Sequence, residues 1–190
     1  MNRLDVPDIR VGDFFKSLVS NKHNNKKNNY LKSRLLLAEA NICHKETEYL
    51  KKALDGELHL VESIENIPIC TWSEACDIYE TDASLLRLPK EAMEALYNSG
   101  DFTNITTKEM EKLYEQNFVA SKVGRRIYDS ILNSVEDNIC PYCSQRLIKT
   151  LDHYLPKSIY PYFSVTPINL VPACRDCNTC LLYTSPSPRD

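Results

Sequence analysis

Two cysteine pairs, Cys140-Pro-Tyr-Cys143 and Cys174-Arg-Asp-Cys177, are separated by thirty residues. Two thiolates spaced C-x2-C reach one cation from a tight turn, and two such turns supply the four soft ligands that tetrahedral Zn²⁺ prefers. Four thiolates close the coordination sphere, so this zinc is expected to be structural and to leave no position for water or substrate. Cys43, Cys70 and Cys76 lack such spacing and read as ordinary buried thiols.

Between the pairs stand the segments Thr150 to Ser158 and Thr166 to Cys174, and Asn178 directly follows the last ligand. Over residues 138 to 179 this pattern resembles the HNH endonuclease family, of the ββα-metal or His-Me finger fold. The matched positions are Asp152-His153, Asn169-Leu170 and Cys177-Asn178. The resemblance implies a metal-dependent hydrolase that cuts phosphodiester bonds of nucleic acid, DNA before RNA.

The side chains suit that chemistry. A neutral histidine near its ordinary pKa of about 6.5 can take a proton from water, which makes His153 the candidate general base. Oxygen ligands select a hard cation, so Asp152 and Asn178 are the candidate holders of Mg²⁺ or Mn²⁺. The family's middle Asn, here Asn169, holds the loop between the strands and orients the base; its alternative reading is a turn residue. Asp152 and His153 are neighbours on one strand and point to opposite faces, so both reach one metal only if the strand twists or ends there.

Lys149, Lys157 and Arg175 flank these residues and are candidate phosphate contacts, which give affinity without sequence choice. The stretch from Asn21 to Arg34 carries Lys22, Lys26, Lys27, Lys32 and Arg34 with no acid, and reads either as a second contact or as a solvated loop. A competing reading keeps the zinc frame and drops the catalysis, leaving a knuckle that binds DNA or protein. A third makes the chain one component of a restriction or anti-phage system, docking a partner such as an ATPase.

The elements that must position these residues are mainly helical. Leu31, Leu35, Ala38, Ile42, Tyr49 and Ala53 recur at helical steps from Tyr30 to Leu54, with Gly56 ending the run. Thr71 to Glu74 and Thr106 to Glu109 are capping boxes. Pro89 opens a helix over 90–97 that Gly100 closes, and Gly124 precedes a last helix with Ile127, Tyr128, Ile131 and Leu132 on its apolar side.

The expected architecture is an extended arm and basic Asn/Lys-rich loop over 1–29, an all-helical region over 30–136, and an HNH module over 137–179. Residues 180–190 resemble the translation of a sequencing-library adapter, and Pro186 and Pro188 argue against helix there. On that reading the closing helix of the ββα module is missing, and the chain is expected to be weakly active or inactive.

Bulk properties set outer limits. With 190 residues, 43% hydrophobic and 26% charged, the chain belongs with ordinary globular proteins. No apolar run approaches the roughly 20 residues that span a bilayer. The start lacks a secretory pattern, so the expected location is cytoplasmic, where eight cysteines serve as thiols or metal ligands. A formal net charge of −3 provides no overall basic footprint, so nucleic acid must meet a local patch.

Overall fold

A computed structural model describes residues 7–21, 26–86, 89–99 and 104–184. Helix α1 (Val11–Ser20) buries Val11, Phe14, Phe15, Leu18 and Val19, a stripe spaced for one helical face. This replaces the extended arm expected in the first part of the chain, because burying each large apolar side chain contributes roughly 1.5–3 kcal/mol. The helix start is closed twice. Arg10 N–H donates to Asp13 Oδ2 at 2.8 Å, and Val11 N–H donates to Glu46 Oε2 at 3.0 Å from the next helix.

Helix α2 (Lys26–Leu54) is the central strut, with Leu35, Ala38, Ile42 and Tyr49 buried. Its backbone already includes Lys26 and Lys27, so helix occupies part of the segment expected to be loop. Glu57 N–H donates to Lys52 O at 2.7 Å and Gly56 N–H to Ala53 O at 3.4 Å, a Schellman ending that needs Gly56 at φ 74°. Two short strands then interrupt the region expected to be all-helical. Strands β1 (Asn66–Pro68) and β2 (Asn104–Thr106) pair antiparallel, Ile67 opposite Ile105, both fully buried.

Helices α3 (Trp72–Leu86) and α4 (Lys90–Asn98) lie between these strands. Thr71 and Glu74 close the start of α3, and Pro89 stands at the N-cap of α4; Gly100 lies outside the described residues. Helix α5 (Thr107–Leu113) begins at the Thr106–Glu109 capping box and runs into a π-helical segment, Tyr114–Val119.

Helix α6 (Lys122–Leu132) starts at Ser121, whose hydroxyl accepts from Gly124 N–H at 3.1 Å. Gly124 therefore sits inside this helix rather than before it. A Cβ there would lie 2.3 Å from Asn117 O and 2.4 Å from Phe118 Cα, so α6 is seated against the π-helical backbone where only glycine fits.

The C-terminal part is a hairpin and a helix. Strands β3 (Thr150–His153) and β4 (Leu170–Ala173) pair antiparallel, Thr150 opposite Ala173 and His153 opposite Leu170. Helix α7 (Arg175–Thr184) follows at once. The tail expected to be non-helical after Asn178 is corrected here: the chain is helical to Thr184, and Pro186 and Pro188, on which that expectation rested, lie outside the described residues.

One core joins the two halves. Leu151, Leu155, Tyr162, Phe163, Val165 and Leu170 belong to the same apolar cluster as α1, α2, α5 and α6. The Tyr49 and Phe163 rings meet edge-on with centroids 5.0 Å apart. A smaller cluster of Cys140, Ile148, Ala173 and Cys174 lies beneath the cysteine pairs. No helix is long and apolar enough to cross a membrane among the described residues.

Candidate functional site

The first cysteine pair is set by a turn. Cys140 N–H donates to Arg146 O and Ser144 N–H to Cys140 O, each at 2.8 Å, with Ser144 at φ 54° reversing the chain. The second pair straddles the junction of β4 and α7, where Cys177 N–H points to Cys174 Sγ at 3.4 Å. The four sulfurs lie within 4.8 Å of one another, with Cys143 and Cys174 Sγ 4.0 Å apart. Tetrahedral zinc with Zn–S near 2.3 Å needs sulfurs about 3.8 Å apart, so the quartet fits that ion.

Its electrostatics call for a cation as well. Backbone N–H groups of Gln145 and Arg146 lower the Cys143 thiol to about 7, which favours a thiolate. Cys177 is pushed upward, first by burial and then by the neighbouring sulfurs. Four thiolates in so small a volume would repel one another, and a bound Zn²⁺ would remove the conflict.

Strand β3 delivers Asp152 and His153 to different partners. Asp152 is buried, and its Oδ2 accepts from the Tyr142 hydroxyl at 3.2 Å. Asn178, in the first turn of α7, donates through Nδ2 to Thr150 Oγ1 at 3.2 Å and to Leu151 O at 3.4 Å. Thr150 and Asp152 share a face of the strand by alternation, so Asn178 is seated on the Asp152 side. With its nitrogen occupied, the amide of Asn178 presents its oxygen on the opposite side of the group.

His153 turns to the helical region. Its Nε2 lies 2.9 Å from Ser164 O, a bond in which the ring N–H donates, so Nδ1 carries the lone pair. Its ring meets the Tyr114 ring edge-on at 4.6 Å between centroids. Burial pushes the imidazole down to about 4, opposed by the Ser164 bond and aided by the Lys157 charge.

Asn169 is fully buried and stitches the loop between the strands. Its Oδ1 accepts from Leu155 N–H at 2.8 Å, while Nδ2 donates to Leu155 O at 3.0 Å and Phe163 O at 3.2 Å. Three bonds from one side chain tie Leu155 to Phe163, the residue before Ser164, whose carbonyl accepts from His153 Nε2.

The flanking cations separate into two groups. Lys149 and Arg175 are exposed. Lys157 is already engaged, 3.2 Å from Glu115 Oε1 and 5.0 Å above the Tyr114 ring. In the upstream basic stretch, Lys32 and Arg34 are buried in α2, Arg34 paired with Glu109 at 2.7 Å, so they face the core and not a ligand. Lys22 and the side chains of Lys26 and Lys27 lie outside the described residues. Cys43, Cys70 and Cys76 are half-buried and away from the quartet.

Tyr142, Tyr114, Ser164 and Thr150 complete the site without standing out in the sequence. Tyr142 lies inside the first C-x2-C, and that position was a usable signal. Tyr114 had none, because it meets His153 only through the tertiary fold.

The chain is 49% identical over 77 residues to "Protein ea31" of Escherichia phage lambda. The matched stretch is 40% of this chain and 26% of that protein, so the chain spans about a quarter of that relative's length. No family model matches the chain, and no solved structure matches it.

Proposed function

We propose that this chain is a metal-dependent endonuclease of the HNH type, hydrolysing phosphodiester bonds of nucleic acid, DNA before RNA, beside a structural zinc on Cys140, Cys143, Cys174 and Cys177. The observation that carries the reading is the anchoring of His153 Nε2 on Ser164 O, which leaves Nδ1 as a lone-pair acceptor in a loop that Asn169 locks.

In this reading water attacks the phosphorus, its proton passes to His153 Nδ1, and the bond to the 3′-oxygen breaks. Asp152 and Asn178 would hold Mg²⁺ or Mn²⁺, which supplies Lewis-acid stabilisation of the charge on the departing oxygen. Burial keeps His153 neutral, hence ready to accept, and a phosphate anion arriving beside it raises its basicity toward the working range. Lys149 and Arg175 are exposed and, in this reading, meet backbone phosphates, which give affinity without sequence choice.

The test is nicking of supercoiled plasmid with Mg²⁺ or Mn²⁺. His153→Ala is expected to lower the rate by roughly 10²–10⁴-fold while zinc content and helicity stay constant. Persistent nicking by that variant would remove His153 from the reaction. The quartet alone would also serve a binding module. Tight DNA binding by wild type with no cleavage under any divalent cation would favour that alternative.

A further inference from the structure

The helical region reaches the candidate base directly. Tyr114 opens the π-helical segment and is almost wholly buried, with Phe118 stacked on it at 5.6 Å between centroids. Its ring meets His153 at 4.6 Å and an interplanar angle of 67°. Lys157, from the connection between β3 and β4, crosses back onto the same segment, its Nζ above the Tyr114 ring and bonded to Glu115. Behind them the Tyr128 hydroxyl accepts from Leu151 N–H at 3.3 Å, fastening α6 to strand β3.

We infer that Tyr114 is a positioning residue for His153: the helical region supplies the wall that holds the imidazole in place, and the β3–β4–α7 module is not self-sufficient. The inference rests on the nuclease reading for its catalytic consequence, but the ring contact stands apart from it.

The physical ground is a division of labour around one small ring. The Ser164 carbonyl fixes a single atom, Nε2, and a ring held at one atom can still swing about that bond. An aromatic neighbour edge-on at this distance removes the swing, and it does so through shape and quadrupole without needing its hydroxyl. π-Helical turns also recur where a side chain must be aimed off the regular helical register. Tyr114 stands at the first residue of such a turn, and the Gly124 contact presses α6 against its far end. The Lys157 bridge closes the same wall from the loop side.

The experiment uses the full chain and two substitutions, Tyr114→Leu and Tyr114→Phe. For wild type, NOEs between the ring protons of Tyr114 and those of His153 are expected, and their absence overturns the inference even if no variant folds. Tyr114→Leu, with one zinc per chain and unchanged helicity, is expected to lower kcat for plasmid nicking about ten-fold or more while KM for DNA changes less than three-fold. Tyr114→Phe should restore kcat to within about two-fold. A Leu variant with wild-type kcat, or a Phe variant as poor as Leu, would each overturn it. If wild type cleaves nothing, the nuclease reading fails, and the NOEs together with the movement of His153 ring resonances in Tyr114→Leu but not Tyr114→Phe still decide the contact.

Discussion

The Tyr142 hydroxyl donates to Asp152 Oδ2 across 3.2 Å, joining the interior of the first cysteine pair to the carboxylate on strand β3. Tyr142→Phe removes this bond, worth about 0.5–1.5 kcal/mol, so the Mn²⁺ concentration for half-maximal cleavage should rise roughly 2- to 13-fold. Zinc content should not move. A metal titration that superimposes on wild type would show that Tyr142 does not orient the carboxylate.

Zinc is expected at one ion per chain, released only by strong chelators or thiol reagents. Cys174→Ser should abolish stoichiometric zinc and lower stability by several kcal/mol, since four-thiolate binding is coupled to folding. The loss should centre on residues 138–179 in hydrogen exchange, because Cys140 and Cys174 form the floor of the smaller core. Wild-type protein purified with no zinc and full helicity would contradict the assignment.

The imidazole of His153 titrates near 4 when folded against an ordinary value of 6.5. The unfolded chain therefore binds this proton more readily between those values, and stability present above pH 6.5 is lost as pH falls toward 4. The contribution between pH 7 and pH 5 is about 2 kcal/mol. Urea denaturation of wild type and His153→Gln at both pH values should show the difference, and identical pH slopes would rule out a buried neutral ring.

Asn169→Ala should cost roughly 2–4 kcal/mol, because it strands the Leu155 N–H and C=O and the Phe163 carbonyl in a buried loop. Cleavage should fall further than stability explains, since Ser164 and His153 lose their frame. A variant with wild-type melting would mean that the loop is held by other contacts.

Gly124→Ala places a methyl group 2.3–2.4 Å from the backbone of Asn117 and Phe118, which cannot yield as a side chain tip can. The expected cost is about 1–3 kcal/mol in denaturant unfolding, despite the better helix propensity of alanine. A change below about 0.5 kcal/mol would show that α6 can slide on the π-helical segment.

Local patterns were readable wherever the physics is local. The C-x2-C pairs specified the thiol quartet because each pair is made within one turn. The helix around Leu35, Ala38 and Ile42 and the boxes at Thr71 and Thr106 followed from spacing alone. The stripe of Val11, Phe14, Phe15, Leu18 and Val19 was equally local, and the expectation of an extended arm passed over it. Pro186 and Pro188 argue against helix after Asn178, yet α7 runs to Thr184 among the described residues.

By itself, then, the sequence determined the four cysteines that could hold a metal and the mainly helical character. Tertiary structure alone decided that Glu46 closes α1, that Ile67 and Ile105 pair, and that Tyr114 and Tyr142 reach His153 and Asp152. Spacing encodes contacts made within a turn or two of chain. Contacts between distant segments are selected by how the whole apolar surface packs, and no short pattern carries that information.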